Sequence, residues 1–221
     1  MNWKLPNQLT VARIGLAVLF FVLLGLYEHA SPCAAWLLNA ALVVYLVAGI
    51  TDILDGWIAR KYNWTSAFGR IADPFVDKVL VLGAFIMLTG SNFAATGGQG
   101  ASDTELAEAA MPLWVNGRMM SAVQSWMVVV ILCRELLVSA VRGYSESQGI
   151  KFPATPAGKI KMFLQSAAIC GALLQLANFA DIYWMMIGKI ILVWLATVAT
   201  VVSGLAYVGK IRQVFREDEP A

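Results

Sequence analysis

The sequence predicts an all-α polytopic membrane protein, with six transmembrane helices in a single domain spanning residues 1–221 and both termini in the cytoplasm. Three observations predict it. Of 221 residues, 59% are hydrophobic and 14% charged, against about 45–50% and about 25% in an average soluble domain; the mean hydropathy is +0.70. The apolar residues gather into six runs of bilayer-spanning length. The basic residues are sorted to one side of those runs. A soluble domain of this size leaves a large area facing water, so an ordinary cytosolic enzyme is excluded, as are disordered and collagenous chains.

Span 1 runs from Leu9 to Leu26, with Arg13 near its start. Lys4 ahead of an apolar run mimics a signal peptide, but no small-residue cleavage site follows and further spans come after it, so it reads as a membrane helix. Span 2 runs from Cys33 through Ile50, span 3 from Phe75 to Phe93, span 4 from Ser121 to Val141, span 5 from Met162 to Phe179 and span 6 from Tyr183 to Val208. With the N-terminus inside, fourteen of the sixteen basic residues fall on the cytoplasmic side: Lys4, Arg13, Arg60, Lys61, Arg70, Lys78, Arg134, Arg142, Lys151, Lys159, Lys161, Lys210, Arg212 and Arg216. Only Arg118 and Lys189 fall outside. That asymmetry is the positive-inside pattern.

The segment Gly90–Met120 carries Gly97, Gly98 and Gly100, then Asp103, Glu105 and Glu108. It reads as a solvated outer loop with one short interfacial helix near Thr104–Ala110. Cys33, Cys133 and Cys170 lie in or beside apolar runs without a C-x-x-C spacing, so they read as buried structural thiols. His29 reads as a solvated loop residue without a partner, which argues against histidine-based catalysis. A net charge of +2 gives no nucleic-acid footprint.

Four aspartates sit where a membrane protein avoids them. Asp52 and Asp55 lie at the inner end of span 2, and Asp73 and Asp77 at the inner start of span 3. A mid-bilayer Asp costs about 2.5–3.5 kcal/mol on insertion scales, and four near one interface also repel one another. Asp52, Asp55, Gly56 and Ala59 fall at i, i+3, i+4 and i+7, one helical stripe; Gly69, Asp73 and Asp77 form another. Pro74 fits the first turn of span 3, where its missing N–H costs little. The short link from Lys61 to Phe68 would hold spans 2 and 3 as an antiparallel pair, with the carboxylates converging between them. A single such Asp reads as an interfacial partner of Arg60 or Lys61. Four on two facing stripes ask for counter-charge, and two divalent cations supply it. All-carboxylate ligation favours Mg²⁺ or Mn²⁺, with Ca²⁺ as competitor, and two such ions about 3.5–4 Å apart suit phosphoryl transfer.

Written out, the segment is Asp52-x2-Asp55-Gly56-x2-Ala59-Arg60-x8-Gly69-x3-Asp73-x3-Asp77. It resembles the signature of the CDP-alcohol phosphatidyltransferase family at every fixed position. Pro6-Asn7-x2-Thr10-x2-Arg13 looks like the family's entry to span 1. The run Arg134-Glu135-Leu136-Leu137-Val138-Ser139-Ala140-Val141-Arg142, followed by Gly158-Lys159-x-Lys161, is similar to the phosphatidylglycerophosphate synthase branch. Met162 stands where that branch usually has threonine, and the Gly90–Met120 loop is longer than usual.

The resemblance implies transfer of a phosphatidyl group from CDP-diacylglycerol, entering from the inner leaflet of a bacterial inner membrane, to glycerol 3-phosphate, with release of CMP. It implies Asp52, Asp55 and Asp73 as metal ligands, and Asp77 as both a ligand and the general base. It also implies a homodimer. Without a placed Ser, Cys or His nucleophile, direct displacement is favoured over a covalent intermediate. Gly56 and Ala59 would leave room for the nucleotide, or serve close helix packing. Gly69 lines the same gap. Arg60 would pair with an Asp or the diphosphate, and Asn7 and Thr10 would hydrogen-bond the nucleotide or cap span 1. Arg134, Arg142, Lys159 and Lys161 cluster at the inner ends of spans 4 and 5, an anion site for a phosphorylated acceptor, or simple anchors and lipid contacts. The same chemistry with inositol phosphate, phosphatidylglycerol or serine is the nearest alternative. A cation transporter would place acids at mid-membrane or on several spans, and a non-catalytic assembly subunit gains nothing from an intact signature.

Overall fold

The computed structural model describes residues 5–29, 31–62, 67–95, 103–147 and 156–217; within these, the side chains of 5–7, 9, 55–60, 62, 67–74, 103–105, 146–147 and 208–217 lie outside the description. Helices account for nearly all of it: α1 (Leu5–Gly25), α2 (Ala34–Tyr62), α3 (Ala67–Met87), α4 (Asp103–Ala110), α5 (Leu113–Asn116), α6 (Ser125–Ser147), α7 (Pro156–Asn178) and α8 (Tyr183–Glu217). Pro6 and Pro156 sit in the first turns of α1 and α7, where no intrahelical N–H is needed. Six long helices overlap the six predicted apolar runs but outlast them at the charged end. Helix α2 continues past Ile50 to Tyr62, and α3 begins at Ala67. Pro74 therefore lies inside α3 rather than in its first turn, because the helix starts before the apolar run does. Helix α8, 35 residues, is about 52 Å long at 1.5 Å per residue, well beyond a hydrocarbon core.

Among the described residues, three stretches are long and apolar enough to cross a membrane: Ala34–Leu54, Pro156–Asn178 and Tyr183–Tyr207. The outer faces of the long helices are apolar as well, with Val18, Val22, Val43, Val129, Ile191 and Leu205 all exposed. Water would oppose such a surface and lipid would not. The chain is a helical membrane protein.

The long helices pack in a closed order, α1 to α2 to α7 to α8 to α6 to α3 and back to α1, with α3 also touching α7 across the middle. Helix α1 stands beside both α2 and α3; the facing ends of α2 and α3, where the sequence suggests that spans 2 and 3 pair, lie outside the described side chains. The core runs through Phe20, Leu24, Tyr45, Phe85, Met127, Ile131, Ile169 and Leu173. Gly83 permits the α1–α3 approach, since a Cβ there would run into the Phe21 ring. Polar side chains join neighbours inside the bundle: Tyr45 Oη donates to Ser166 Oγ at 3.2 Å, and Gln165 Nε2 to Thr200 Oγ1 at 3.1 Å. Asn39 and Asn178 exchange amide hydrogen bonds at 3.1 and 2.8 Å. Such bonds hold helices together where apolar burial gives no net drive.

The described part of the segment between α3 and α6, residues 88–95 and 103–124, is not a solvated loop. The predicted short helix is there as α4, and these residues pack onto the bundle. Ala94 and Met119 form an isolated bridge, Phe93, Asn116 and Ala122 are buried, and Ser121 Oγ donates to the Leu88 carbonyl at 2.6 Å. Glu108, expected in water, is buried with Lys189 of α8 at 2.7 Å. The Lys189 ammonium also donates to Gln175 Oε1 at 2.8 Å and to the Met120 carbonyl. An isolated buried charge is costly, so this acid and this lysine go inside together. Two smaller expectations also change. Cys33 and Cys133 are exposed thiols and Cys170 is half-buried; an apolar run in a bilayer has an outward face as well as an inward one. His29 is exposed, yet its Nδ1 lies 3.1 Å from Tyr27 Oη.

Candidate active site

The charged ends of five helices meet inside the bundle. On α1, Arg13 is 1% exposed and its Nη1 lies 2.6 Å from Asp52 Oδ1 on α2. The sequence marked Arg13 as a positive-inside residue and as part of the entry to span 1, without a partner; the signal available was a lone cation in an apolar run. Thr10, one turn earlier, is buried. Because α1 starts at Leu5, Thr10 lies beyond capping reach and the N-cap alternative does not hold for it. Asn7 lies inside α1 as well, its side chain outside the described residues.

Asp77 is half-buried on α3. The charges that act on it are those of Asp52, Arg13, Lys161 and Glu135. The signature positions Asp55, Gly56, Ala59 and Arg60 on α2, and Gly69 and Asp73 on α3, fall on continuous helix; their side chains lie outside the described residues. Among the described residues, no three His, Cys, Asp or Glu side chains gather as a metal cluster. The donors that are described, Asp52 and Asp77, are carboxylates on neighbouring parts of the bundle, the oxygen chemistry that a hard divalent cation takes.

Asp77 also lines a cavity of about 690 Å³ between α3, α6, α7 and α8. Arg134 and Arg142 of α6, Lys159 and Lys161 of α7, and Tyr207 of α8 line the same cavity. The fold therefore brings the four basic residues of the sequence reading together with Asp77. Arg142 and Lys159 are exposed, and Arg142 Nη2 donates to Tyr207 Oη at 3.3 Å. The Arg134 guanidinium lies 6.0 Å from the Tyr207 ring centre, within cation–π reach. Gly204 on α8 makes room for its stem, since a Cβ there would stand 3.2 Å from Arg134 Cγ. Lys78 of α3 bonds Ser139 Oγ, and Ser139 Oγ in turn donates to the Glu135 carbonyl at 2.5 Å.

Sequence reasoning gave no role in this wall to Lys78, Ser139 or Tyr207, nor to its buried carboxylate. Glu135 is buried, lines the cavity, and accepts from Lys161 at 2.5 Å and from Arg134 at 3.0 Å. A carboxylate amid the apolar residues of span 4 was the available signal.

The family model for CDP-alcohol phosphatidyltransferase matches residues 3–202. The chain is 32% identical to the CDP-diacylglycerol–glycerol-3-phosphate 3-phosphatidyltransferase of Rickettsia bellii, over 96% of this chain and 97% of that one. It is 29% identical to the protein of the same name from Bacillus subtilis, over 94% and 95%, and 28% identical to a probable phosphatidylglycerophosphate synthase of Mycobacterium tuberculosis, over 94% and 81%. The signature on α2 and α3, the helical membrane fold and the match along nearly the whole length agree: the chain belongs to the CDP-alcohol phosphatidyltransferase family.

Proposed function

We propose that the protein transfers the phosphatidyl group of CDP-diacylglycerol to glycerol 3-phosphate, releasing CMP. The observation that carries this reading is the cavity in which Asp77 shares a wall with Arg134, Arg142, Lys159 and Lys161. A carboxylate and a set of fixed cations in one space suit an acceptor that carries both a hydroxyl and a phosphate. The relatives' names point to the same acceptor.

The six long helices cross the inner membrane with both termini and the site on the cytoplasmic side, as the sorting of basic residues supports. The acyl chains of the donor remain in lipid, and its diphosphate meets the α2–α3 signature. Gly56, Ala59 and Gly69 leave room there for the nucleotide, with Asn7, Thr10 and Arg60 as its polar contacts. Asp52, Asp55, Asp73 and Asp77 would hold two divalent cations, Mg²⁺ or Mn²⁺, which when bound neutralise the diphosphate and the departing oxygen. Asp77 takes the proton from the acceptor hydroxyl. That oxygen forms a bond to the β-phosphorus as the bond to the bridging oxygen breaks, and CMP leaves with the electron pair. Positioning of the two reactants beside fixed charges is the main contribution of the chain. The protein acts as a homodimer, in keeping with the family resemblance.

The test is CMP release from CDP-diacylglycerol with glycerol 3-phosphate, inositol phosphate, serine and phosphatidylglycerol offered separately. Glycerol 3-phosphate should be the productive acceptor, and Asp77→Asn should lower turnover by about 10²–10⁴-fold, the range for a general base, with expression retained. Release with another acceptor alone, or full turnover in the variant, would overturn the reading.

A further inference from the structure

We propose that Glu135 is a positioning residue that divides the cationic wall into a fixed part and a phosphate-binding part; this deepens the functional reading above and rests on it. The cations around one cavity, Lys78, Arg134, Arg142, Lys159 and Lys161, do not all offer themselves equally to a ligand. Lys161 is 3% exposed and its ammonium lies 2.5 Å from Glu135 Oε1. Arg134 gives Nη1 to the same oxygen at 3.0 Å. One buried carboxylate therefore holds two cations from two helices, α6 and α7.

The consequence lies in what the arginine has left. A guanidinium presents donors in a rigid fork. With Nη1 committed to Glu135, the opposite edge is turned away from it. Arg134 Nε is buried and has no hydrogen-bond partner among the described residues, although a buried donor normally finds one. The guanidinium cannot rotate freely to satisfy it, because the Tyr207 ring stands 6.0 Å away and Gly204 packs on the stem. An unpaired donor edge beside a cavity that Arg142 and Lys159 also line is a place for an acceptor oxygen of a phosphomonoester. On this reading Lys161 serves as the strut that keeps Glu135 in place. Arg134, Arg142 and Lys159 meet the phosphate.

Glu135 also sets the charge of the pocket. With Asp77 it offsets two of the five cations that line the cavity, which leaves a positive excess that a phosphate dianion meets better than a singly charged carboxylate does. Glu135 acts through Arg134 and Lys161 and touches no reacting atom.

The experiment measures initial rates of CMP release for wild type, Glu135→Gln and Glu135→Asp while each substrate is varied in turn. Calorimetric binding of glycerol 3-phosphate and thermal unfolding in detergent run alongside. Glu135→Gln should raise the KM and the Kd for glycerol 3-phosphate by about tenfold or more, the scale of a lost charge-assisted hydrogen bond. The KM for CDP-diacylglycerol should move less than about twofold, since no such bond to the donor is lost. Glu135→Asp should recover part of the loss. A second variant, Glu135→Met with Lys161→Met, removes both buried charges together and should show the same raised KM for glycerol 3-phosphate. An unchanged or lowered KM for glycerol 3-phosphate in either variant overturns the proposal, as does an equal rise for both substrates. Wild-type protein that releases no CMP with glycerol 3-phosphate overturns the functional reading itself, and is distinguishable because it fails before any variant is compared.

Discussion

At the scale of single residues, buried charge is set against opposite charge. Arg13 meets Asp52 and Glu135 meets Lys161 across helix boundaries, and Glu135 also holds its chain neighbour Arg134. Position and partner had different visibility in the sequence. The positions of the aspartates were legible, because carboxylates in an apolar context stand out and their i, i+3 and i+4 spacing declares a face. Their partners were not, because a lone Arg or Glu in a span carries no mark of which distant helix it will meet. Gly83 shows the same limit for packing. Its neighbourhood reads as an ordinary apolar run, yet it stands against Phe21. Gly83→Leu should destabilise the protein by about 1–3 kcal/mol, the cost of overpacking a close contact, seen as a lower midpoint of thermal unfolding in detergent. An unchanged midpoint would show that α1 and α3 separate without cost.

At the scale of elements, the helices outrun the apolar segments that announce them. Hydropathy marks where lipid lies along a chain, while helix geometry continues wherever the backbone has no reason to stop. That difference put Pro74 inside α3 and carried the α2 signature on unbroken helix to Tyr62. The segment between α3 and α6 was misjudged for a related reason. Its glycines and acids have the composition of a loop, but Glu108 finds Lys189 and Gln175, and Trp194 Nε1 donates to the Val115 carbonyl at 2.9 Å. The segment is a cap pinned to α7 and α8. Lys189→Met should destabilise by about 3–5 kcal/mol, because Glu108 is then a buried charge without its ammonium, and it should open the segment to added protease. Lys189→Met with Glu108→Met should restore most of the loss. A double variant no better than the single one would mean that the pair is not what holds the cap.

At the scale of the whole molecule, the cavity lies between α3, α6, α7 and α8 near the charged end, and the described part of the cap packs at the opposite end. The sorting of basic residues predicts that those ends lie on opposite sides of the membrane. Substituted-cysteine labelling in a cysteine-free background tests that assignment with an impermeant maleimide on intact cells. Arg118→Cys should label from outside, and Lys61→Cys only after lysis. The reverse pattern would invert the protein and place the site on the wrong side for its substrates.

The sequence by itself determined the apolar solvent, the long helices among the described residues and the family. Each of these is a local property, set by composition, by periodicity or by fixed spacing within a few turns. Only the tertiary structure decided which helices are neighbours, that α1 stands beside both α2 and α3, and that the basic residues of α6 and α7 share a cavity with Asp77. It alone showed that Glu135 and Lys189 have buried partners. The physical reason is that pairing between distant helices depends on side-chain shape and on charge compensation in a buried space, and neither leaves a period or a spacing in the chain.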